Sequence, residues 1–162
     1  MIAPLAASAY EYVLALHIMS VVIAFGVTFA YPILFVVAAR RDPATVPVLH
    51  RVEWVTERYL VNPALVLVVG AGIFLASDGH HWSEFFVQWG LGAALVIGAL
   101  IGAVMIPTAK RAEEVAARDL ASGDGSGGVS AEYQSLVKRL TLVGSLLSGL
   151  VLLTILFMVV KP

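Results

Sequence analysis

The sequence predicts an all-α fold, a polytopic membrane protein in which four transmembrane helices form one bundle. Hydrophobic residues make up 60% of the 162 residues and charged residues 13%, and the mean hydropathy is +0.93. These values lie outside the range of ordinary soluble domains. Four apolar segments are also long enough to cross a hydrocarbon core, which takes about 20 residues. Helices are expected because a helix satisfies the backbone polar groups of a spanning segment internally.

The four predicted spans belong to a single membrane domain that covers residues 1–162. The spans are residues 10–39, 60–77, 85–106 and 140–160. The first is long enough to tilt or to project beyond the bilayer, and Pro32 marks a bend near its far end. The second helix is expected to begin earlier, on the membrane surface near Pro47, and to continue past Pro63. The first apolar segment follows no basic residue and exceeds a signal-peptide core in length, so a retained first helix is expected.

The link between the third and fourth spans divides into two parts. Residues 107–120 have the pattern of an amphipathic helix. Residues 122–130 are rich in Gly and Ser and are expected to form a flexible cytoplasmic linker. Ser130, followed by Glu132, is a suitable N-terminal cap for the fourth helix.

The distribution of Lys and Arg predicts the orientation in the membrane. The second link, residues 77–84, contains neither residue type, whereas the first and third links are basic. Their basic residues are Arg40, Arg41, Arg51, Arg58, Lys110, Arg111, Arg118, Lys138 and Arg139. Since basic links stay on the cytoplasmic side, both termini and the second link should lie outside. We expect a multi-pass protein of the bacterial cytoplasmic (inner) membrane.

Composition excludes several functional classes. The chain has no cysteine, which removes disulfides, thiolate metal sites and cysteine nucleophiles. The net charge of −1, without a basic patch, argues against nucleic-acid binding. Nucleotide loops, nucleophile elbows and HExxH zinc motifs do not occur in the sequence. The sequence leaves open whether the protein is an enzyme and identifies no catalytic residue.

The first helix carries polar residues on one face only. At about 100° per residue this face, the polar stripe, collects six side chains. They are His17, Ser20, Ala24, Thr28, Tyr31 and Phe35. His17 is the one ionisable residue placed clearly inside a span, and such residues usually face protein and mark functional sites. Either the stripe binds a cofactor through His17, Ser20, Thr28 and Tyr31, or His17 merely donates to a serine or carbonyl of a neighbouring helix.

A metal site is geometrically allowed near His17, at the outer end of the first helix. The outer link SDGHHWSE contains Asp78, His80 and His81, which with His17 could bind a transition metal or ligate haem. Adjacent histidines diverge on regular backbone, so at most one of the loop pair should reach inward. The alternative is an ordinary polar turn built on Asp78 and Gly79. His50 is excluded as a partner because it lies beyond the opposite end of the first helix.

On the cytoplasmic side, the segment HRVEWVTERYLVNP places His50, Trp54 and Arg58 on one helical face. The expected structure is an interfacial helix with surface ion pairs. A site for an anionic headgroup or a partner is the alternative.

Small residues are expected to hold the helices together, because lipid gives apolar helices no drive to associate. The third helix has a ridge at Gly90, Ala94, Gly98 and Gly102. The ridge could pack inside the bundle, or the chain could form a homo-oligomer through Gly98 and Gly102 or through the Gly26 and Ala30 face.

Five segments together resemble a bacterial family of four-helix integral membrane proteins classed as a domain of unknown function. They are LHIMSVVIAFGVTFAYP, LHRVEWVTERYLVNP, the GIFLASDG stretch with the following Trp and Phe-Val, EEVAARDL and the ending FMVVKP. The resemblance covers nearly the whole chain and implies the fold and the topology, but no activity.

A more distant resemblance concerns His17 and the shape of the first helix only. A first-helix histidine followed by AFG and an aromatic-Pro step is similar to the membrane protoporphyrinogen oxidase and copper-resistance membrane protein group. That resemblance implies that His17 contacts haem b or a metal. The oxidases also rely on an intramembrane lysine, and the third helix has none between Trp89 and Pro107. An accessory subunit without a cofactor and a small permease for protons or solutes along the polar stripe stay open as alternatives.

Overall fold

The computed structural model describes residues 8–122 and 130–161, and all regular structure in these ranges is helical. The α-helices are α1 (Ala9–Phe25), α2 (Tyr31–Arg41), α3 (Val46–Thr56), α4 (Asn62–Asp78), α5 (Phe85–Leu100), α6 (Ile106–Ala121) and α7 (Ala131–Val160). Most of the predicted linker at 122–130 lies outside the described residues. Ser130 caps α7 as predicted, since its hydroxyl accepts from the Tyr133 N–H at 3.1 Å.

The seven helices join into four that are long and apolar enough to cross a membrane. These four are Ala9–Arg41, Pro43–Asp78, Phe85–Ala121 and Ala131–Val160. The prediction of an all-α, four-span protein is therefore confirmed, as is the continuation of the second helix past Pro63. The beginning of α1, the end of α7 and the 79–84 link lie at one end of the bundle, called here the terminal end. The two basic links lie at the other, called the basic end.

Each of the first three long helices is interrupted a few residues before a proline. A 3₁₀ turn at Val27–Phe29 precedes Pro32, so the predicted bend is present. Single π-helical turns at Glu57–Val61 and Ile101–Met105 precede Pro63 and Pro107. A proline lacks the N–H of the helical ladder and its ring collides with the carbonyl four residues earlier, so the helix changes pitch to relieve both problems.

At the basic end the helices continue beyond the length that a bilayer requires. The α6 segment, predicted as amphipathic, turns its small side chains inward: Ala109 and Ala112 are fully buried, beside Val115. These alanines let α6 pack closely on α3, and α6 also contacts α7. On the outer face Glu132 of α7 accepts hydrogen bonds from Arg111 and Arg118, each at 2.8 Å.

The small-residue ridge of α5 packs mainly inside the bundle. A side chain at Gly90 would collide with Met158 of α7, and one at Gly98 would come within 3.2 Å of Leu65 of α4. At Gly102 no atom lies within 4 Å of an added Cβ. The first part of the ridge is therefore used by the chain itself, and only Gly102 is open to another molecule.

Candidate functional site

The polar stripe of the first helix faces the protein interior, as predicted. Ser20 and Ala24 are buried and so is Tyr31, while His17 and Thr28 are half-buried. The hydroxyl of Thr28 donates to the Phe25 carbonyl, three residues earlier in the first helix, at 2.7 Å. A hydroxyl in a span can satisfy itself locally in this way, because the backbone turns before it offer carbonyls.

His17 is held by a backbone carbonyl of the neighbouring helix. Its Nδ1 lies 2.9 Å from the Val68 oxygen of α4, a contact in which Nδ1–H is the donor. In the neutral imidazole the Nε2 atom is then left with a free lone pair. Within the described residues Nε2 makes no hydrogen bond. The ring lies over Gly72 of α4, where an added Cβ would be in van der Waals contact with the His17 Cε1 atom at 3.4 Å.

A cavity of about 490 Å³ opens beside His17 between α1, α4, α5 and α7, at the terminal end. Most of its lining is aliphatic or aromatic. The polar or amphipathic side chains that line it are Tyr10, His17, His81, Trp82, Thr154 and Lys161. We call it the terminal cavity. Ser20, Thr28, Tyr31, Asp78 and His80, which the sequence grouped with His17, do not line it.

The two adjacent histidines of the 79–84 link have separate roles. His80 has a left-handed backbone with a φ of 56°. Its N–H bonds to the Ser77 carbonyl at 3.3 Å, and the His81 N–H bonds to the Ala76 carbonyl at 2.9 Å, which is the Schellman arrangement at a helix C-terminus. His81 alone lines the terminal cavity. The prediction that only one of the pair reaches inward is confirmed.

Gly79 acts by its size and not by its backbone conformation. The sequence suggested it as the turn residue, but its φ is −82° and the left-handed position is one residue later. The His81 ring lies so close to Gly79 that any Cβ there would overlap the ring. Gly79 therefore lets the imidazole fold back toward the cavity, where its ring centroid lies 6.1 Å from that of Phe86.

The predicted metal ligands are not assembled. His17 and His81 share the terminal cavity, whereas Asp78 and His80 lie outside its lining. Across residues 8–122 and 130–161 the structure contains no group of three or more His, Asp or Glu side chains placed to hold a metal ion. The reason is local: the Schellman turn commits His80 to the backbone of the link.

A second polar group, at the basic end, was missed by the sequence reasoning. His50, Glu53 and Glu57 are buried, although an exposed interfacial helix was expected here. The exposure expected for this face is wrong for His50, whose ring packs against Phe35 of α2 and bonds to Tyr133 of α7, whereas Arg58 is exposed as expected. The sequence does contain a signal for this burial. His50, Glu53 and Glu57 recur at the helical period on the same face as Val46 and Val61, which are also buried.

Comparison with known proteins gives one match. A family model described as a predicted integral membrane protein (DUF2269) matches residues 11–162. No curated protein and no solved structure matches the chain. The family match confirms the resemblance to an integral membrane family over nearly the whole chain, and the more distant oxidase and copper-resistance resemblance gains no support.

Proposed function

The chain belongs to the DUF2269 family of predicted integral membrane proteins, and we propose that it binds an apolar ligand from the membrane in its terminal cavity, with His17 as the polar contact. The observation that carries this proposal is the cavity itself, about 490 Å³ in volume and lined by apolar side chains around two imidazoles. Ligand sites typically combine a largely apolar wall with a few polar groups that orient the ligand.

The groups around the terminal cavity suit b-type haem as the specific ligand to test first. The Val68 carbonyl fixes the tautomer of His17, and such a second contact orients an imidazole whose other nitrogen binds iron. His81 offers a second imidazole, and Lys161 a positive charge suited to a carboxylate of the ligand. Bound haem would supply one-electron chemistry. A bare transition-metal ion fits less well, because only two of the four predicted ligands line the cavity.

The proposed orientation places the terminal cavity in the outer half of the inner membrane. The basic end contains Arg40, Arg41 and the basic residues of the third link, which favours its retention in the cytoplasm. A ligand would then reach His17 from the outer leaflet or from the outer aqueous side.

A cofactor-free accessory subunit is the second candidate. Its support is the exposure of small residues on the outer surface of the bundle: Gly26 and Ala30 on the first helix, and Gly102 on the third. Small residues of this kind let a second transmembrane helix approach closely. The permease alternative has less support, since Ala24 and Phe25 occupy the buried face between Ser20 and Tyr31.

The test is to purify the full-length protein in mild detergent from cells supplied with haem precursor. The absorption spectrum and native mass spectrometry of the intact protein then report bound haem or another small molecule. We expect a Soret band, or an apolar molecule of defined mass, that is lost in His17→Ala and reduced in His81→Ala.

His80→Asn is the matched control. It removes an imidazole one residue away from His81, outside the cavity, and Asn tolerates the left-handed conformation. The control should keep the ligand. A purified protein without any bound molecule, or a ligand that all three variants retain equally, would contradict the proposal and favour the accessory-subunit alternative.

A further inference from the structure

Five polar side chains lie together at the basic end, and no part of the proposed function uses them. The group comprises Tyr31, His50, Glu53, Glu57 and Tyr133, and we call it the basic-end cluster. Every member is buried, and the exposed fraction of the Glu57 side chain and backbone together is only 3%. Buried ionisable groups are costly in free energy unless they are paired or neutralised.

One half of the basic-end cluster is fully hydrogen-bonded. Nδ1 of His50 lies 3.0 Å from Oε2 of Glu53, and Nε2 lies 2.9 Å from the Tyr133 hydroxyl. An ionised Glu53 accepts from Nδ1–H, and Nε2 of the neutral ring then accepts from the Tyr133 O–H. The Phe35 ring, with its centroid 4.5 Å from that of His50, closes the site from α2. In this arrangement the Glu53 carboxylate has a hydrogen-bond donor, whereas Glu57 does not.

The other half of the basic-end cluster is not satisfied. Within the described residues, Oε2 of Glu57 and the hydroxyl of Tyr31 are buried atoms for which no hydrogen bond of good geometry is present. The Tyr31 hydroxyl lies beside Thr56 and close enough to Glu53 and Glu57 to interact with the charges of both carboxylates. Buried polar atoms are rarely left unsatisfied in native proteins, and an exception calls for a bound species or a changed protonation state.

No cation faces Glu57 from the described elements around it. Arg58, next in sequence, is exposed and stacks on Tyr59 with its guanidinium carbon 5.8 Å from the ring centroid. Helices α1 and α4 pack on the π-helical turn Glu57–Val61 that contains Glu57. The titratable side chains of these two helices lie toward the terminal end. On α6, Lys110 stacks on Trp54, and Glu113 accepts from Arg51 and from Trp54.

Two carboxylates four residues apart therefore share a buried site with one imidazole. Glu53 and Glu57 repel each other when both are ionised, and the burial of both side chains leaves that repulsion little screened by solvent. Glu57 is also the first residue of the π-helical turn that precedes Pro63, and such turns are frequent at functional sites.

We infer that the basic-end cluster is a proton-binding site, in which Glu57 takes up a proton from the compartment at this end of the bundle while Glu53 stays hydrogen-bonded to His50. The proton adds to Glu57 Oε2, converts the carboxylate to a neutral acid and removes the repulsion with Glu53. The site is independent of the terminal cavity, which lies at the other end of the bundle.

Infrared spectroscopy of the purified protein tests the inference directly. A carboxylic-acid carbonyl band should be present at pH 7, where exposed glutamates are ionised. The band should vanish in Glu57→Gln and shift in Glu57→Asp. Glu114→Gln, which removes an exposed carboxylate on α6, is the matched control and should leave the band unchanged.

The pH dependence of thermal unfolding gives a second readout. In the unfolded chain Glu57 releases its proton above about pH 4.3. A folded state that keeps the proton loses stability as the pH rises, by up to about 3–5 °C in Tm per pH unit. We expect the Tm of Glu57→Gln to rise relative to that of the unchanged protein as the pH increases from 5 to 8. The difference in Tm between Glu114→Gln and the unchanged protein should stay constant over the same range.

Two results would overturn the inference. One is that no carboxylic-acid band at pH 7 can be assigned to Glu57. Comparing the unchanged protein with Glu57→Asp makes this assignment even if Glu57→Gln does not fold. The other is a rise in Tm on addition of Na⁺ at fixed pH that Glu57→Gln abolishes. That result would assign the site to a metal cation and not to a proton.

Discussion

At the scale of single residues, histidines of the same intrinsic chemistry differ because of the atoms around them. His17 has one nitrogen bonded to the Val68 carbonyl and the other available to the terminal cavity. His50 has both nitrogens occupied, by Glu53 and by Tyr133. An imidazole with a free nitrogen can contact a ligand, whereas one bonded on both sides fixes its neighbours. The His50 arrangement could not be read from sequence, since Tyr133 lies 83 residues away.

His80 gives a prediction at this scale because its backbone is left-handed, with a φ of 56°. This conformation costs a residue with a Cβ about 1–2 kcal/mol and is free of that cost for glycine. His80→Gly should raise the free energy of unfolding in detergent by about 1 kcal/mol, and His80→Val should lower it by a similar amount. Denaturant titration followed by circular dichroism measures both.

Ser83→Gly is the control for the flexibility that glycine adds, because Ser83 is exposed in the same link. It should lower the stability slightly or leave it unchanged. Equal responses at positions 80 and 83 would show that the left-handed conformation does not matter for stability.

At the scale of helices, prolines and small residues set the shape of the bundle. The interruptions before Pro32, Pro63 and Pro107 follow from the missing N–H of each proline, so their positions are predictable from sequence. Whether the helix tightens to a 3₁₀ turn or widens to a π turn depends on the packing around it. The amphipathic pattern of residues 107–120 predicted a helix, but only the structure shows that this helix covers α3.

The small-residue ridge gives a prediction at this scale. Gly98→Ile would drive a side chain into Leu65, which lies 3.2 Å from the position of its Cβ, and overpacking of this kind costs about 1–3 kcal/mol. A Cβ added at Gly102 has no described atom of a neighbouring helix within 4 Å, so the side chain of Gly102→Ile starts into open space. Its effect on stability should stay within about 0.5 kcal/mol.

Gly102→Ile also tests the homo-oligomer that the sequence leaves open. If copies associate through Gly102, then Gly102→Ile should shift the protein toward monomers in analytical ultracentrifugation in detergent, while its helical content stays unchanged. An unchanged sedimentation profile for Gly102→Ile would remove this face from the proposed contact and leave the Gly26 and Ala30 face as the remaining choice.

At the scale of the whole molecule, the two ends of the bundle differ in chemistry. The terminal end has an apolar cavity with two imidazoles, and the basic end has the buried basic-end cluster under a layer of surface ion pairs such as Arg111 with Glu132. The four long helices have 30 to 37 residues each, more than the about 20 that a bilayer requires, and α3 and α6 pack on each other at the basic end. The orientation of the chain decides which compartment each end meets.

Cysteine labelling measures that orientation without interference, because the chain has no native cysteine. Ser83→Cys lies in the link at the terminal end and Ser122→Cys follows α6 at the basic end, and both positions are exposed. A membrane-impermeant maleimide should label Ser83→Cys in intact spheroplasts and Ser122→Cys only after the membrane is opened. The opposite pattern would place the basic end outside and would reverse the compartment that supplies each site.

By itself the sequence determined the membrane class, the four spans and the inward face of the first helix. These follow from hydropathy, segment length and a 3.6-residue period, which are properties of one segment at a time. It also indicated that a candidate functional site lies around His17, at the end of the bundle where His17 is located.

Tertiary structure decided what surrounds each polar group. It separated Tyr31 from His17, turned His81 and not His80 toward the cavity, and buried Glu53 and Glu57 inside the bundle. The physical reason is that burial and hydrogen bonding are relations between segments far apart in the chain. A charged residue on an amphipathic helix has the same local pattern whether water or another helix covers it.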